Sequence, residues 1–154
     1  MKFDGTPASV FHRSIAALLA LILGGVSAWA GDLKFEAQLI WATTNSISPK
    51  TNHVPVSADV RKKLECLPLK WPNYFEVKRA AFSAAKDAPQ KVPIDNCSIV
   101  VTAHDTNRVE VTLFDKGGKE VTKQSQSLPI GCILVLGGNA PGENGWLVAL
   151  KRTE

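Results

Sequence analysis

Hydrophobic and polar residues alternate along much of the chain after Asp32. This period of two places successive side chains on opposite faces of a β-strand. The first such segment is Leu33–Thr43. Its apolar members are Phe35, Ala37, Leu39 and Trp41, and its polar members are Lys34, Glu36 and Gln38. The pattern predicts a strand with one face in the core and the other in water.

Later segments show the same alternation or runs of β-branched residues, and turn-forming residues separate them. They predict strands at Asn73–Ala84, Cys97–His104, Arg108–Phe114, Glu120–Ser127, Ile130–Leu136 and Trp146–Lys151. The alternation slips after Arg79, which predicts a bulge or bend there. A short helix over Arg79–Lys86 is the alternative, because Ala and Lys favour helices.

One segment has helical periodicity, with Val60, Leu64 and Leu67 at positions i, i+4 and i+7. Ser57 is the expected N-cap, and Pro68 ends the helix. The polar connection before it, through Pro55, is expected to be irregular. Together the patterns predict an all-β, mainly antiparallel fold. It is a small β-sandwich or partly open barrel with one short helix inserted after the first strand.

The first thirty residues differ in kind from the rest. Lys2, His12 and Arg13 form a mostly basic start, Ile15–Leu23 is apolar, and Ala28–Ala30 ends in small residues. This order is typical of a secretory signal peptide, and the apolar part is shorter than the roughly 18–20 residues of a membrane-spanning helix. We therefore predict a signal peptide at residues 1–30 and one exported domain at residues 31–154, secreted or periplasmic. An uncleaved N-terminal anchor is the alternative.

Charge is distributed evenly along the predicted exported domain. Its 124 residues hold 16 Lys and Arg against 13 Asp and Glu, interspersed along the strands. A nucleic-acid-binding protein would concentrate its basic residues on one element or stripe. We therefore expect no nucleic-acid partner, and no membrane span once the leader is removed.

Three cysteines follow the leader, and in an oxidising compartment at most two of them can pair internally. Cys97 and Cys132 are the candidate disulfide, although both could instead be buried and reduced. Cys66 lies off the apolar stripe of the predicted helix and is the more accessible thiol. The sequence alone does not choose among the possible pairings.

No arrangement of residues that catalysis demands is evident. Cys132 with His104 is the one candidate for thiol catalysis, but Cys132 sits in an apolar segment that is typical of a buried strand. His53 and His104 have no second His or Cys at i+3 or i+4, so we predict no metal site and no cofactor. We therefore predict that the protein is not an enzyme.

Aromatic residues cluster where the predicted helix joins the second long strand. Trp71, Tyr74 and Phe75 lie within five positions, and Tyr74 points away from Phe75. Trp71 and Tyr74 are therefore candidate binding residues, since exposed aromatics serve sugar- and peptide-binding faces. The alternative, which we favour, is that Trp71 covers the end of the core and Tyr74 packs beneath the connection at residues 44–55.

These observations favour an exported, non-catalytic binding or structural domain whose partner is a protein or a cell-envelope component. A sheet face or edge would serve as the contact, because strand addition needs no special side chains. A carbohydrate-binding module using the exposed aromatics is one alternative. An exported thiol-dependent enzyme or redox protein is the other.

Overall fold

The computed structural model describes residues 31–48, 50–140 and 142–154. The predicted leader at residues 1–30 lies outside them. The described chain forms nine strands and one helix: β1 Leu33–Thr43, β2 Val54–Pro55, α1 Ala58–Glu65, β3 Asn73–Ala84, β4 Gln90–Ile94, β5 Cys97–Ala103, β6 Arg108–Phe114, β7 Glu120–Ser127, β8 Ile133–Asn139 and β9 Gly145–Arg152. Among the described residues no helix has the length and apolarity needed to cross a membrane.

The strands form two antiparallel sheets that pack as a small sandwich. One sheet has the order β2-β3-β1-β9-β8, and the other has the order β4-β5-β6-β7. The main core lies between them and draws on both, with Phe35 of β1 and Val148 of β9 facing Ile99 of β5 and Leu113 of β6. The predicted all-β, mainly antiparallel fold with one short helix is confirmed.

A second core covers the outer face of the five-stranded sheet. Val60 and Leu64 of α1 pack there against Ile40 and Leu147, and an ion pair of 2.5 Å between Asp59 and Lys151 joins the helix to β9. This layer changes the environment of β1. Gln38, expected on the wet face, is only 2% exposed, because both faces of β1 are covered at that point.

Four of the predicted strands, now β1, β3, β6 and β7, have the predicted bounds. The last strand, β9, contains the predicted span and is one residue longer at each end. β8 is displaced: it begins at Ile133 instead of Ile130, because the turn that includes Gly131 has a positive φ of 80°. The sequence did not predict β4 or the two-residue β2. Pro93 argues against a strand, yet it is tolerated in β4 because β4 is an edge strand.

The irregularity in β3 lies earlier than predicted. Leu39 pairs with Lys78 and Ile40 pairs with Glu76, so Val77 is the extra residue of a bulge. The position after Arg79 is regular strand, and the alternative helix there does not form. Past the bulge the alternation is restored, and Phe82 stacks on Phe35 across the pair with centroids 5.5 Å apart.

A buried arginine closes one end of the sandwich. Arg152 is 5% exposed, and its Nη1 donates hydrogen bonds to the carbonyl oxygens of Thr106 and Leu128 and to Asn107 Oδ1. These acceptors belong to the β5–β6 turn and the β7–β8 connection. The guanidinium therefore ties the end of β9 to the facing sheet.

Candidate binding cleft

The two aromatic residues singled out from the sequence are buried. Trp71 is 8% exposed, and its Nε1 donates to the Glu143 carbonyl oxygen at 2.8 Å. Tyr74 is 4% exposed, and burial raises the pKa of its hydroxyl. The expectation that one of them faces water is wrong, because α1 and its flanking connections cover the outer face of β3. Both residues belong to the second core, in agreement with the alternative in which they are structural.

The three thiols are free and lie in different environments. Cys97 is buried, its thiol lies 3.3 Å from the Ile94 carbonyl oxygen, and burial raises its pKa to about 11. Cys66 is exposed, as expected. Cys132, expected inside a buried strand, is exposed because it lies just before β8, which begins at Ile133. The structure does not join Cys97 and Cys132 in a disulfide.

His104 lies at the end of β5 on the surface. Its Nδ1 is 3.4 Å from the carboxylate of Asp87, and no hydrogen bond links it to Cys132. The described part of the chain contains no group of three or more His, Cys, Asp or Glu residues arranged to hold a metal ion. The catalytic pair considered from the sequence is therefore not assembled in this structure.

A cleft of about 370 Å³ opens between the sheets, at the end opposite Arg152. The second half of β1 and the start of β9 form its floor. The β4–β5 turn, the β6–β7 turn and the connection after β1 form its rim. We call it the tryptophan cleft, after Trp41 and Trp146, which line it. It is concave and mostly apolar with a few convergent polar groups, which is the usual composition of a ligand site.

The two tryptophans are direct cross-strand neighbours. Trp41 pairs with Trp146 in the register of β1 and β9, and both side chains are half-buried. Trp41 follows Phe35, Ala37 and Leu39 on the inward face of β1, beyond the last of them that belongs to the main core. Gly138 of β8 lies opposite Trp146, and a Cβ atom there would come within 3.0 Å of the indole ring. The missing side chain lets the indole lie across β8.

His53 brings a polar group to this apolar site. Its Nδ1 is 2.6 Å from Ser48 Oγ, whereas its buried Nε2 has no hydrogen-bond partner in the described chain. Desolvation lowers the pKa of the imidazole, as does the nearby charge of Lys50, while Asp95 acts in the opposite direction. The ring is therefore neutral at pH 7, and one nitrogen remains to be satisfied.

Four charged side chains surround the mouth of the cleft, and they differ in their bonding. Asp95 accepts a hydrogen bond of 2.7 Å from the Asn96 side chain, and Asp115 Oδ1 accepts the N–H groups of Gly117 and Lys119 at 2.9 Å. Both carboxylates thus brace their own turns. The ammonium groups of Lys50 and Lys116 form no ion pair with any residue that the structure describes.

The free edge of β8 is a second possible contact. Ile133–Asn139 carries no charge and no proline, and it pairs only with β9 among the described strands. Beside it, an apolar groove of about 360 Å³ is lined by residues such as Leu69 and Val135. An open apolar edge suits strand addition. It offers no polar side chain to select a ligand, so the tryptophan cleft is the better candidate.

Comparison with known proteins adds no relative. No family model matches the chain, and searches of curated proteins and of solved structures found no match either. The function is therefore argued from the cleft itself. The sequence pattern predicts Trp41 on the core face of its strand and shows His53 only as a histidine without metal partners. Their proximity follows from strand register and loop placement, which a single sequence does not show.

Proposed function

We propose that this chain is an exported, non-catalytic binding domain. Its tryptophan cleft receives an apolar ring carried by a protein or a cell-envelope component. The observation that carries the proposal is the cross-strand pair Trp41 and Trp146, which lines a cleft beside the unpartnered Nε2 of His53. The exported state is itself part of the proposal and is supported by the leader-like order of residues 1–30.

The size of the cleft favours one ring system. Its volume of about 370 Å³ is near the lower end of the roughly 300–1,000 Å³ that ligand pockets span. Burying about 100 Å² of apolar ligand surface against the indoles contributes roughly 2.5 kcal/mol. A hydrogen bond to His53 Nε2 adds about 1 kcal/mol and relieves an unsatisfied buried group. Such a site suits modest, reversible binding.

The bonding around His53 supports binding rather than catalysis. A serine–histidine pair needs a third group that orients the base and stabilises its charged form. Ser48 contacts Nδ1, but Nε2 has no carboxylate partner in the described chain, and desolvation disfavours protonation of the ring. Cys97, the thiol nearest the cleft, is buried and protonated at neutral pH. We therefore assign neither residue a reacting role.

The neutral fluorophore N-phenyl-1-naphthylamine tests the proposal. We expect its emission to rise on binding to the wild-type domain, with the affinity reduced at least about tenfold in Trp146→Ala. Filling the cleft by Val77→Phe should have the same effect without removing an existing contact. Ile130→Ser, which removes an exposed apolar side chain at the other end of the sandwich, is the matched control.

Thermal unfolding by circular dichroism distinguishes lost binding from lost folding in each variant. A wild-type domain that binds no probe would contradict the proposal, as would equal binding by Val77→Phe and wild type. A glycan panel run in the same assay covers the carbohydrate alternative. Quenching of tryptophan emission by glycans, without binding of the neutral probe, would favour that alternative.

The exported state has its own test. N-terminal sequencing of protein recovered from outside the cytoplasmic membrane is expected to begin at Gly31. A chain that keeps residues 1–30 and stays with the membrane fraction would favour the anchor.

A further inference from the structure

Resting on the proposed function, we propose that the natural ligand of the tryptophan cleft is an organic anion. Its apolar ring lies against Trp41 and Trp146, and its acidic group lies at the mouth between Lys50 and Lys116. The acidic group is a carboxylate, sulfonate or phosphate. This inference names a ligand class for the cleft and adds the two lysines to the residues that bind it.

The first support is the difference between the acidic and basic groups at the mouth. The formal charges of two carboxylates and two ammonium groups, on Asp95, Asp115, Lys50 and Lys116, sum to zero. The two kinds of group differ, however, in their hydrogen bonding. The carboxylates accept hydrogen bonds from their own turns, at 2.7 Å for Asp95 and 2.9 Å for Asp115. Lys50 and Lys116 line the cleft, and neither ammonium group has an acidic partner in the described chain. The ammonium groups are therefore available to an acidic ligand group, whereas the carboxylates already accept hydrogen bonds from their own turns.

The second support is the unpartnered ring nitrogen of His53. Ser48 Oγ lies 2.6 Å from Nδ1, and the backbone N–H of Lys50 approaches the same oxygen at 3.5 Å. A neutral imidazole carries one proton, on Nδ1 or on Nε2. In the tautomer protonated on Nε2, the Ser48 hydroxyl donates to Nδ1, and Nε2 is a buried donor without an acceptor in the described chain, which an anionic oxygen would satisfy.

These groups can supply three donors around an apolar floor. Two flexible ammonium groups attract the anion electrostatically, and His53, when protonated on Nε2, orients it. Because the lysines are near water, salt screens their attraction for the anion. Together they should give the anion a preference of about tenfold over a neutral ligand of the same shape.

Two fluorophores that differ by one sulfonate test this preference. These are 8-anilino-1-naphthalenesulfonate and the neutral N-phenyl-1-naphthylamine. At low salt the sulfonate should bind the wild-type domain about tenfold more tightly. The double variant Lys50→Gln/Lys116→Gln should lower that preference to about twofold or less. Raising the salt to 0.5 M should have a similar effect on the wild type.

The matched control is Lys62→Gln/Lys63→Gln, which removes the same charge from the exposed side of α1. It should keep the preference. Equal affinity of the two probes for the wild type would overturn the inference and leave the proposed function standing. An equal loss in both double variants would also overturn it, because the effect would then follow net charge. A wild type that binds neither probe contradicts both proposals.

Discussion

Gly145 at the start of β9 offers a direct test of how tightly the outer core is closed. A Cβ atom at this position would lie 2.3 Å from Trp71 Cη2 and 2.4 Å from Cζ2. Ordinary carbon–carbon contacts are about 3.5–4.0 Å, so the indole would have to move by more than an ångström. The ring is buried, and its Nε1 is held by the Glu143 carbonyl oxygen, so it has little room to retreat.

We therefore expect Gly145→Ala to lower the free energy of unfolding by about 3 kcal/mol, the upper part of the range for overpacked cores. For a domain of this size that corresponds to a fall in Tm of roughly 10 °C. The measurement is urea unfolding followed by tryptophan fluorescence and circular dichroism. Gly117→Ala is the control, because its Cβ meets only Asp115 Oδ1 at 3.4 Å, and it should change stability by less than about 0.5 kcal/mol.

A double-mutant cycle isolates the cause. Phe lacks Cη2 and Cζ2, the two indole atoms nearest to the new methyl group, so Gly145→Ala should cost less than about 1 kcal/mol in a Trp71→Phe background. If the substitution costs the same in both backgrounds, the strain does not arise from the Trp71 ring, and the reasoning fails.

Four further predictions concern buried polar and thiol groups. Arg152→Met should lower the free energy of unfolding in urea by about 2–3 kcal/mol, because its carbonyl and amide acceptors lose their partner; a loss under 0.5 kcal/mol would contradict this. The pKa of His53 is lowered in the fold, so stability should fall as the pH drops below about 6.5, and His53→Gln should flatten that dependence in urea titrations at pH 5–7.5. Thiol titration at pH 7.5 should find two fast-reacting groups and one, Cys97, that reacts only on unfolding. Because the pKa of Cys97 is raised to about 11, its stabilising contribution should hold below pH 9 and be lost as the pH rises through 11. Three fast thiols in the folded domain would refute the placement of Cys97.

Local pattern was sufficient for most of the fold. The bounds of β1 and β6 follow from the alternation of apolar and polar residues. A repeat of two residues indicates which side chains face the core, whatever the partner strand is. The helix near Val60 and Leu64 follows from a single apolar stripe with a proline after it. Pattern failed where backbone conformation overrides composition, as at Gly131 before β8 and at the Val77 bulge.

The candidate site was decided almost entirely by tertiary structure. Trp41 and Trp146 are 105 positions apart, and only the register of β1 with β9 makes them neighbours. Trp71 and Tyr74 have the composition of a binding face, but α1 folds back over their side of the sheet and buries them. The sequence determined that the chain forms a β fold and, for most strand positions, which residues turn inward. The structure decided which inward residues the facing sheet covers, because closure of a sandwich depends on where distant strands end relative to one another.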